Sequence, residues 1–204
     1  YGADVLRVYI LFMGDYASAA PWNDSSVKGC KRFLDRVAAL TDLVKGTGVT
    51  AKLESAFHKT IKKVTEDIED MKFNTAIAAM MSLINTIYEV GSLTADELKT
   101  LLKLLCPFAP HICEEMWETL GEKNFLSMTA WPEWDEAKTV DAEIEIAVQV
   151  SGKLRATITI AADASKEDAI AAALADERIQ AAIAGKNVVK EIYIPGKIVN
   201  IVAK

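Results

Sequence analysis

The apolar residues change their spacing part-way along this chain, and that change limits its fold more than any other feature. Up to about Leu120 they recur at intervals of three and four, the signature of amphipathic helices. Beyond Asp141 they alternate: Ile144, Ile146, Val148 and Val150, then, after Ser151-Gly152, Leu154, Ala156, Ile158 and Ile160. A period near 3.6 lines one side of a helix and a period of 2 lines one side of a strand, so neither segment suits the other's structure. The chain is expected to be a multidomain α+β protein. An all-α helical bundle over residues 21–140, preceded by a helical lead-in at 1–20, gives way to a small ββα(α)ββ domain over 141–204.

The punctuation of the bundle can be placed locally. Leu6, Tyr9, Ile10 and Met13 predict a half-buried helix in the lead-in. Asp24 to Val44 predicts a second, capped at Ser25 or Ser26, with Val27, Cys30, Leu34, Val37 and Thr41 inward and Gly46 and Gly48 past its end. A third spans Ala51 to Met71, its outer Lys62 and Lys63 within helical reach of Glu66 and Asp67. Asn74 is expected to cap a helix that ends at Gly91, and Thr94-Ala95-Asp96-Glu97 matches a capping box. Pro107 stops that helix, and Pro110 suits the first turn of the next. Phe125 to Val140 then reads as an extended strap pinned by Trp131 and Trp134, with linker character near Asp141. In the last domain, Ser165–Ala184 is Ala-rich and helical, and Val188–Ile194 pairs with Lys197–Val202 around Pro195-Gly196.

Composition excludes several classes. No apolar run approaches the roughly 20 residues of a membrane-spanning helix, and no basic segment followed by an apolar one opens the chain. Three cysteines (Cys30, Cys106, Cys113) without close paired spacing fit reduced thiols in the cytoplasm. Cys106, His111 and Cys113 lack a fourth ligand nearby and are expected to pack rather than to bind metal. The net charge of −6 argues against indiscriminate nucleic-acid binding, and no DNA partner is expected. That charge is uneven, however. Residues 1–63 carry ten Lys and Arg against six Asp and Glu, residues 64–140 five against fourteen, and residues 141–204 eight against nine. A local basic surface on an acidic body is the consequence, and an acidic protein-interaction scaffold is the bland alternative.

Several stretches carry a resemblance to a known family. Tyr1-Gly2-Ala3-Asp4-Val5-Leu6-Arg7 looks like the segment after the KMSKS loop in class I aminoacyl-tRNA synthetases of the Leu/Ile/Val group. Trp22-Asn23-Asp24-Ser25-Ser26-Val27-Lys28-Gly29, continuing to Arg32-Phe33-Leu34-Asp35-Arg36, is similar to the first bundle helix of leucine–tRNA ligases. His58-Lys59-Thr60-Ile61, Phe73-Asn74-Thr75-Ala76-Ile77 and Leu105-Cys106-Pro107-Phe108-Ala109-Pro110-His111 resemble later parts of that bundle. Val148-Gln149-Val150-Ser151-Gly152-Lys153-Leu154-Arg155 and Ile194-Pro195-Gly196-Lys197-Ile198-Val199-Asn200 are similar to the C-terminal domain of the bacterial leucine enzymes, with Ser151 where Asn is expected. The Pro-Phe-Ala-Pro-His segment is shared with valine and isoleucine enzymes, so the equivalent region of one of those is the alternative within the class. A coiled coil or a paired-Cys zinc module, expected after the bundle there, does not appear.

The resemblance implies a C-terminal piece of a longer monomeric ligase, with residues 1–20 the end of the connection to its catalytic domain. The start in mid-helix without Met carries the same expectation. ATP and Mg2+ would serve the parent, whose catalytic and editing domains would be partners in the same chain; no cofactor and no catalytic residue is expected in these residues. Their implied task is to hold tRNA-Leu. Lys28, Arg32 and Arg36 recur every four residues opposite the apolar stripe of their helix, in the family's motif, and are candidate phosphate ligands. Lys153 and Arg155, expected on one face of a strand with Leu154 on the other, are further candidates, as are Lys186, Lys190 and Lys197. Lys59, Lys62 and Lys63 have acids nearby and are set aside. Trp22, Trp117, Trp131 and Trp134 are expected to be buried anchors rather than stacking platforms.

Overall fold

The computed structural model describes residues 1–14, 21–140, 143–162 and 164–203. The chain divides into two compact units, Tyr1–Val140 and Asp141–Lys204. The end of the lead-in at residues 15–20 and the linker expected at Asp141 lie outside the described residues.

The first unit holds helices α1 (Ala3–Phe12), α2 (Asp24–Ala38), α3 (Ala51–Glu69), α4 (Phe73–Val90), α5 (Ala95–Leu105) and α6 (Pro110–Thr119). A 3-10 turn, Ala39–Leu43, extends α2 in place of the expected continuous helix to Val44. The core includes Val37, Leu53, Val64, Met80, Ile84 and Leu101, all fully buried. Burying such side chains drives the assembly, at about 25 cal/mol per Å2 of apolar surface removed from water.

Three local expectations are corrected. On α1 the buried residues are Asp4, Val5, Val8 and Tyr9, while Leu6, Ile10 and Met13 face outward. This helix is apolar nearly all round, so periodicity could not choose its inner face. Polar anchors choose it instead: Arg7 donates to the carbonyls of Pro107 (2.8 Å) and Phe108 (3.2 Å). Asp4 accepts from His111 Nδ1 (2.7 Å) and from the Ile112 N–H (2.8 Å) in the first turn of α6. On α2 the cap is Asn23, whose carboxamide oxygen accepts from the N–H groups of both Ser25 and Ser26. And α4 starts one residue before Asn74, with Phe73 in its first turn against the Phe108 ring.

The other signals are realised. Gly91 is left-handed at the end of α4, and Pro110 sits in the first turn of α6. The capping box closes at α5, where Thr94 and Glu97 satisfy each other's backbone N–H groups. Glu97, 5% exposed, also accepts from the N–H (2.6 Å) and hydroxyl (2.9 Å) of Thr50, tying the start of α3 to the start of α5. The strap is held along α3. Trp131 Nε1 donates to the Thr65 hydroxyl (2.8 Å), the Asp135 N–H to His58 Nδ1 (3.0 Å), and Lys62 and Lys138 pair with Glu136 and Glu54. Lys62 thus finds Glu136 rather than Glu66, whereas Lys63 does meet Asp67 at 2.6 Å.

The second unit is a four-stranded sheet of β1 (Glu143–Val150), β2 (Lys153–Ala161), β3 (Val188–Ile194) and β4 (Ile198–Ala203), in the order β2-β1-β4-β3. β1 pairs parallel to β4; the two hairpins are antiparallel. Helices α7 (Lys166–Ala175) and α8 (Glu177–Ile183) bring Ala169, Ala173 and Ile179 onto Ile146, Val148, Val199 and Ile201. The small alanines let α7 lie close to the sheet. Among the described residues no helix is long and apolar enough to cross a membrane.

Candidate nucleic-acid interface

The basic stripe of α2 exists because the opposite side of that helix is consumed by packing: Val27, Cys30, Phe33, Leu34 and Val37 are buried. Lys28 and Arg32 are exposed, and among the described residues neither makes a hydrogen bond or an ion pair. Two uncommitted cations one helical turn apart suit the oxygens of an extended polyanion. Lys31, by contrast, is tied to Asp35 one turn along. Arg36 differs from the other two members of the stripe. It is half-buried against α4, its Nη1 donating to Asn85 Oδ1 (2.8 Å) and its guanidinium 4.6 Å from the Tyr88 ring centroid. A fully solvated stripe opposite the core would not touch α4, so the helical wheel places Arg36 too far from its neighbour.

The sheet carries the other candidates. A bulge interrupts the expected alternation in β2: Val150 faces Lys153, Gln149 faces Leu154 and Val148 faces Ala156, which leaves Arg155 without a partner strand residue. Lys153 and Arg155 therefore do not follow the simple one-face pattern, and Leu154, opposite Gln149, is 62% exposed rather than inward. Register also sorts the lysines. Lys190 pairs with Val202, and Ser151 donates its N–H to the Ile201 carbonyl, so Lys153, Arg155 and Lys190 share one end of the sheet. Lys186 lies just before β3 at that end, its ammonium donating to the Ala182 carbonyl (3.0 Å). Edge to edge, three strand spacings separate β2 from β3, roughly 14 Å. Lys197 follows Pro195-Gly196 in the turn at the opposite end of β4. The structure thus gathers four of these five cations and leaves Lys197 apart.

Other titratable groups have structural partners. Burial pushes the thiols of Cys30, Cys106 and Cys113 up, Cys113 furthest, so all three are protonated and unreactive at neutral pH. Among the described residues no three His, Cys, Asp or Glu side chains gather as a metal site. Each of the four tryptophan indoles donates a hydrogen bond. Trp117 is buried with Nε1 donating to the Asn124 carbonyl; Trp131 and Trp134, expected to be buried, are exposed (37% and 36%) and are held by Nε1 donation to Thr65 and Glu136. Trp22 departs furthest from the expected buried anchor. It is 60% exposed, edge-on to Tyr9 with ring centroids 4.8 Å apart, its Nε1 donating to Asp24 (2.8 Å). Nothing in its local sequence distinguishes it from the other three; its exposure follows from its place just ahead of the α2 cap.

Residues 51–170 match the family described as anticodon-binding domain of tRNA ligase, and the chain belongs to that family. Over its whole length it is 51% identical to the leucine–tRNA ligase of Alkaliphilus oremlandii (strain OhILAs), of which it spans 26%. It also superposes on the LeuRS of Agrobacterium radiobacter K84 in a ternary complex with tRNA and LeuAMS, with a TM-score of 0.70 and 31% identity, covering all of this chain and 28% of that one. The matched family span begins at α3, so Lys28, Arg32 and Arg36 precede it and Lys186, Lys190 and Lys197 follow it; Lys153 and Arg155 lie within it.

Proposed function

We propose that this chain is the tRNA-holding part of a leucine–tRNA ligase, positioning tRNA-Leu for leucylation carried out elsewhere in the same polypeptide. The observation that carries this reading is the pair of uncommitted cations, Lys28 and Arg32, beside the braced Arg36, in a chain alike throughout to a leucine–tRNA ligase. Chemistry on the tRNA 3′ end needs the body of a large polyanion held in one register. Phosphate contacts from Lys and Arg do that without reading bases. In this reading Lys28, Arg32 and Arg36 grip one stretch of backbone, and Lys153, Arg155, Lys186 and Lys190 a second, with Lys197 at its margin. The acidic stretch 64–140 disfavours other placements of the RNA. ATP and Mg2+ would be held by the catalytic domain of the parent, a monomeric enzyme of the cytoplasm, and editing would reside in a further domain.

The test is a titration of tRNA-Leu transcript into this chain at several salt concentrations. Removing one phosphate ligand, in R32A or in K28A, should flatten the log–log salt dependence by about 0.7 to 0.9. Unchanged affinity and slope in both variants would remove these residues from the interface. A wild-type chain that binds no tRNA at low salt would overturn the reading itself.

A further inference from the structure

The exposed Trp22 opens onto a groove of about 540 Å3 between the end of α1 and the start of α2, lined by Tyr9, Phe12, Met13, Trp22, Gly29 and Met81 among others. Its walls are mainly apolar, with Asn23 and Ser26 adding polar groups, and its size falls within that of small-ligand sites. Trp22 is a pre-set platform there: Asp24 holds its indole N–H, and the buried Tyr9 supports its ring edge-on.

Gly29 supplies the second observation. It sits in the interior of α2, where glycine weakens a helix relative to alanine. Its backbone φ is not left-handed, so no turn requires it. A Cβ added there would meet nothing within 4 Å, so among the described residues no packing requires it either. The open space over its Cα leaves room for a group lying in the groove to approach the backbone of α2 closely. Gly29 precedes Arg32 by three residues and Arg36 by seven, which puts all three on one side of the helix. Arg32 and Arg36 thus lie further along the side of α2 that carries Gly29.

We infer that this groove receives one unstacked nucleobase of the bound tRNA, laid on Trp22 and against Gly29, while Lys28 and Arg32 hold the adjoining phosphates. A flat apolar floor beside uncommitted cations is the chemistry of single-stranded nucleic-acid binding, in which an aromatic face takes the base and Lys or Arg takes the backbone. The inference rests on the tRNA-holding function proposed above and adds to it a base contact.

Three variants of this chain separate the possibilities when titrated with tRNA-Leu transcript. G29A should raise the melting temperature, since alanine favours the helix and its Cβ clashes with nothing, yet weaken tRNA binding. G29L, which fills the groove, should weaken binding by roughly tenfold or more, as should W22A, which takes away one base–aromatic stack. In all three the log–log salt slope should stay at the wild-type value, because every phosphate ligand is still in place. Binding by G29L and W22A as tight as wild type, with R32A still flattening the slope, would overturn the base pocket and leave tRNA holding intact. A G29L chain that binds more weakly and flattens the slope as much as R32A would assign its defect to the stripe and likewise overturn the pocket. Absence of tRNA binding by the wild-type chain would overturn both.

Discussion

Arg36 and Tyr88 hold each other twice: the guanidinium lies 4.6 Å from the ring centroid, and the Tyr88 hydroxyl donates to the Arg36 carbonyl at 2.9 Å. With the bond from Arg36 to Asn85, this joins the last turn of α2 to α4. The arginine nearest the core therefore has a structural task as well as a charge, whereas Arg32, one turn earlier, has only its charge.

The two arginines should separate in a stability measurement. R36A gives up a cation–π interaction and a hydrogen bond and should cost about 1 to 2 kcal/mol in urea unfolding. R32A disturbs neither kind of interaction and should stay within about 0.5 kcal/mol of wild type. Equal stability of the two variants would mean that the Arg36 interactions contribute nothing in solution.

Glu97 should be among the most costly polar residues to remove. Its carboxylate, 5% exposed, serves the N–H of the buried Thr94 and both the N–H and hydroxyl of the partly buried Thr50. E97A leaves the buried Thr94 N–H unmet and the Thr50 donors with water at best, a loss of about 2 to 3 kcal/mol. E97Q keeps the size but turns one acceptor into a donor, and should fall between E97A and wild type. Urea unfolding monitored by far-UV circular dichroism reads both.

Glu114 makes the fold sensitive to acid in a defined direction. Burial is the largest single influence on its carboxyl and pushes upward, but the N–H groups of Ser127 (2.9 Å) and Leu126 (2.7 Å) and the Ser127 hydroxyl together hold the group below the usual carboxylate value. A carboxyl depressed on folding adds stability that is complete above its ordinary value, near 4.5, and is lost as pH falls through the lower folded value. Wild type should melt higher than E114Q at pH 7, and the gap should shrink as pH falls below the ordinary carboxyl value near 4.5. A gap independent of pH would show that the stabilising interaction does not depend on the carboxylate's charge.

Signals confined to one turn were legible in the sequence: the Thr94–Glu97 box, Gly91, Pro110 and the Ser151-Gly152 hairpin each specify geometry with their own atoms. What escaped was decided across the fold. The inner face of α1 depends on Arg7 and Asp4 reaching residues about a hundred positions away, and Lys62 chose Glu136 on the strap over Glu66 on its own helix. At the candidate interface the Lys28–Arg32–Arg36 spacing was legible. That α4 would take hold of Arg36, that a bulge would leave Arg155 unpaired in the sheet, and that Trp22 would stand most exposed of its kind were not.

Ser151 tests the balance between backbone strain and hydrogen bonding. It is left-handed at φ 48°, followed by Gly152 at φ 80°, a two-residue hairpin turn that matches the twist of its strands but disfavours a side chain at the first position. Its hydroxyl answers that strain by donating to the Ala203 carbonyl (3.0 Å) and accepting from the Ala203 N–H (3.3 Å), which fastens the turn to β4. S151A keeps the strain and loses both bonds, and should destabilise this unit by about 1 to 2 kcal/mol. S151G loses the same bonds but removes a left-handed penalty of about 1 kcal/mol, so it should lie close to wild type. Hydrogen exchange at the Ala203 amide resolves the two effects: it should speed up in both variants, while global stability falls only in S151A. Equal global losses in the two would mean that strain at Ser151 is negligible and the hydroxyl alone sets the turn.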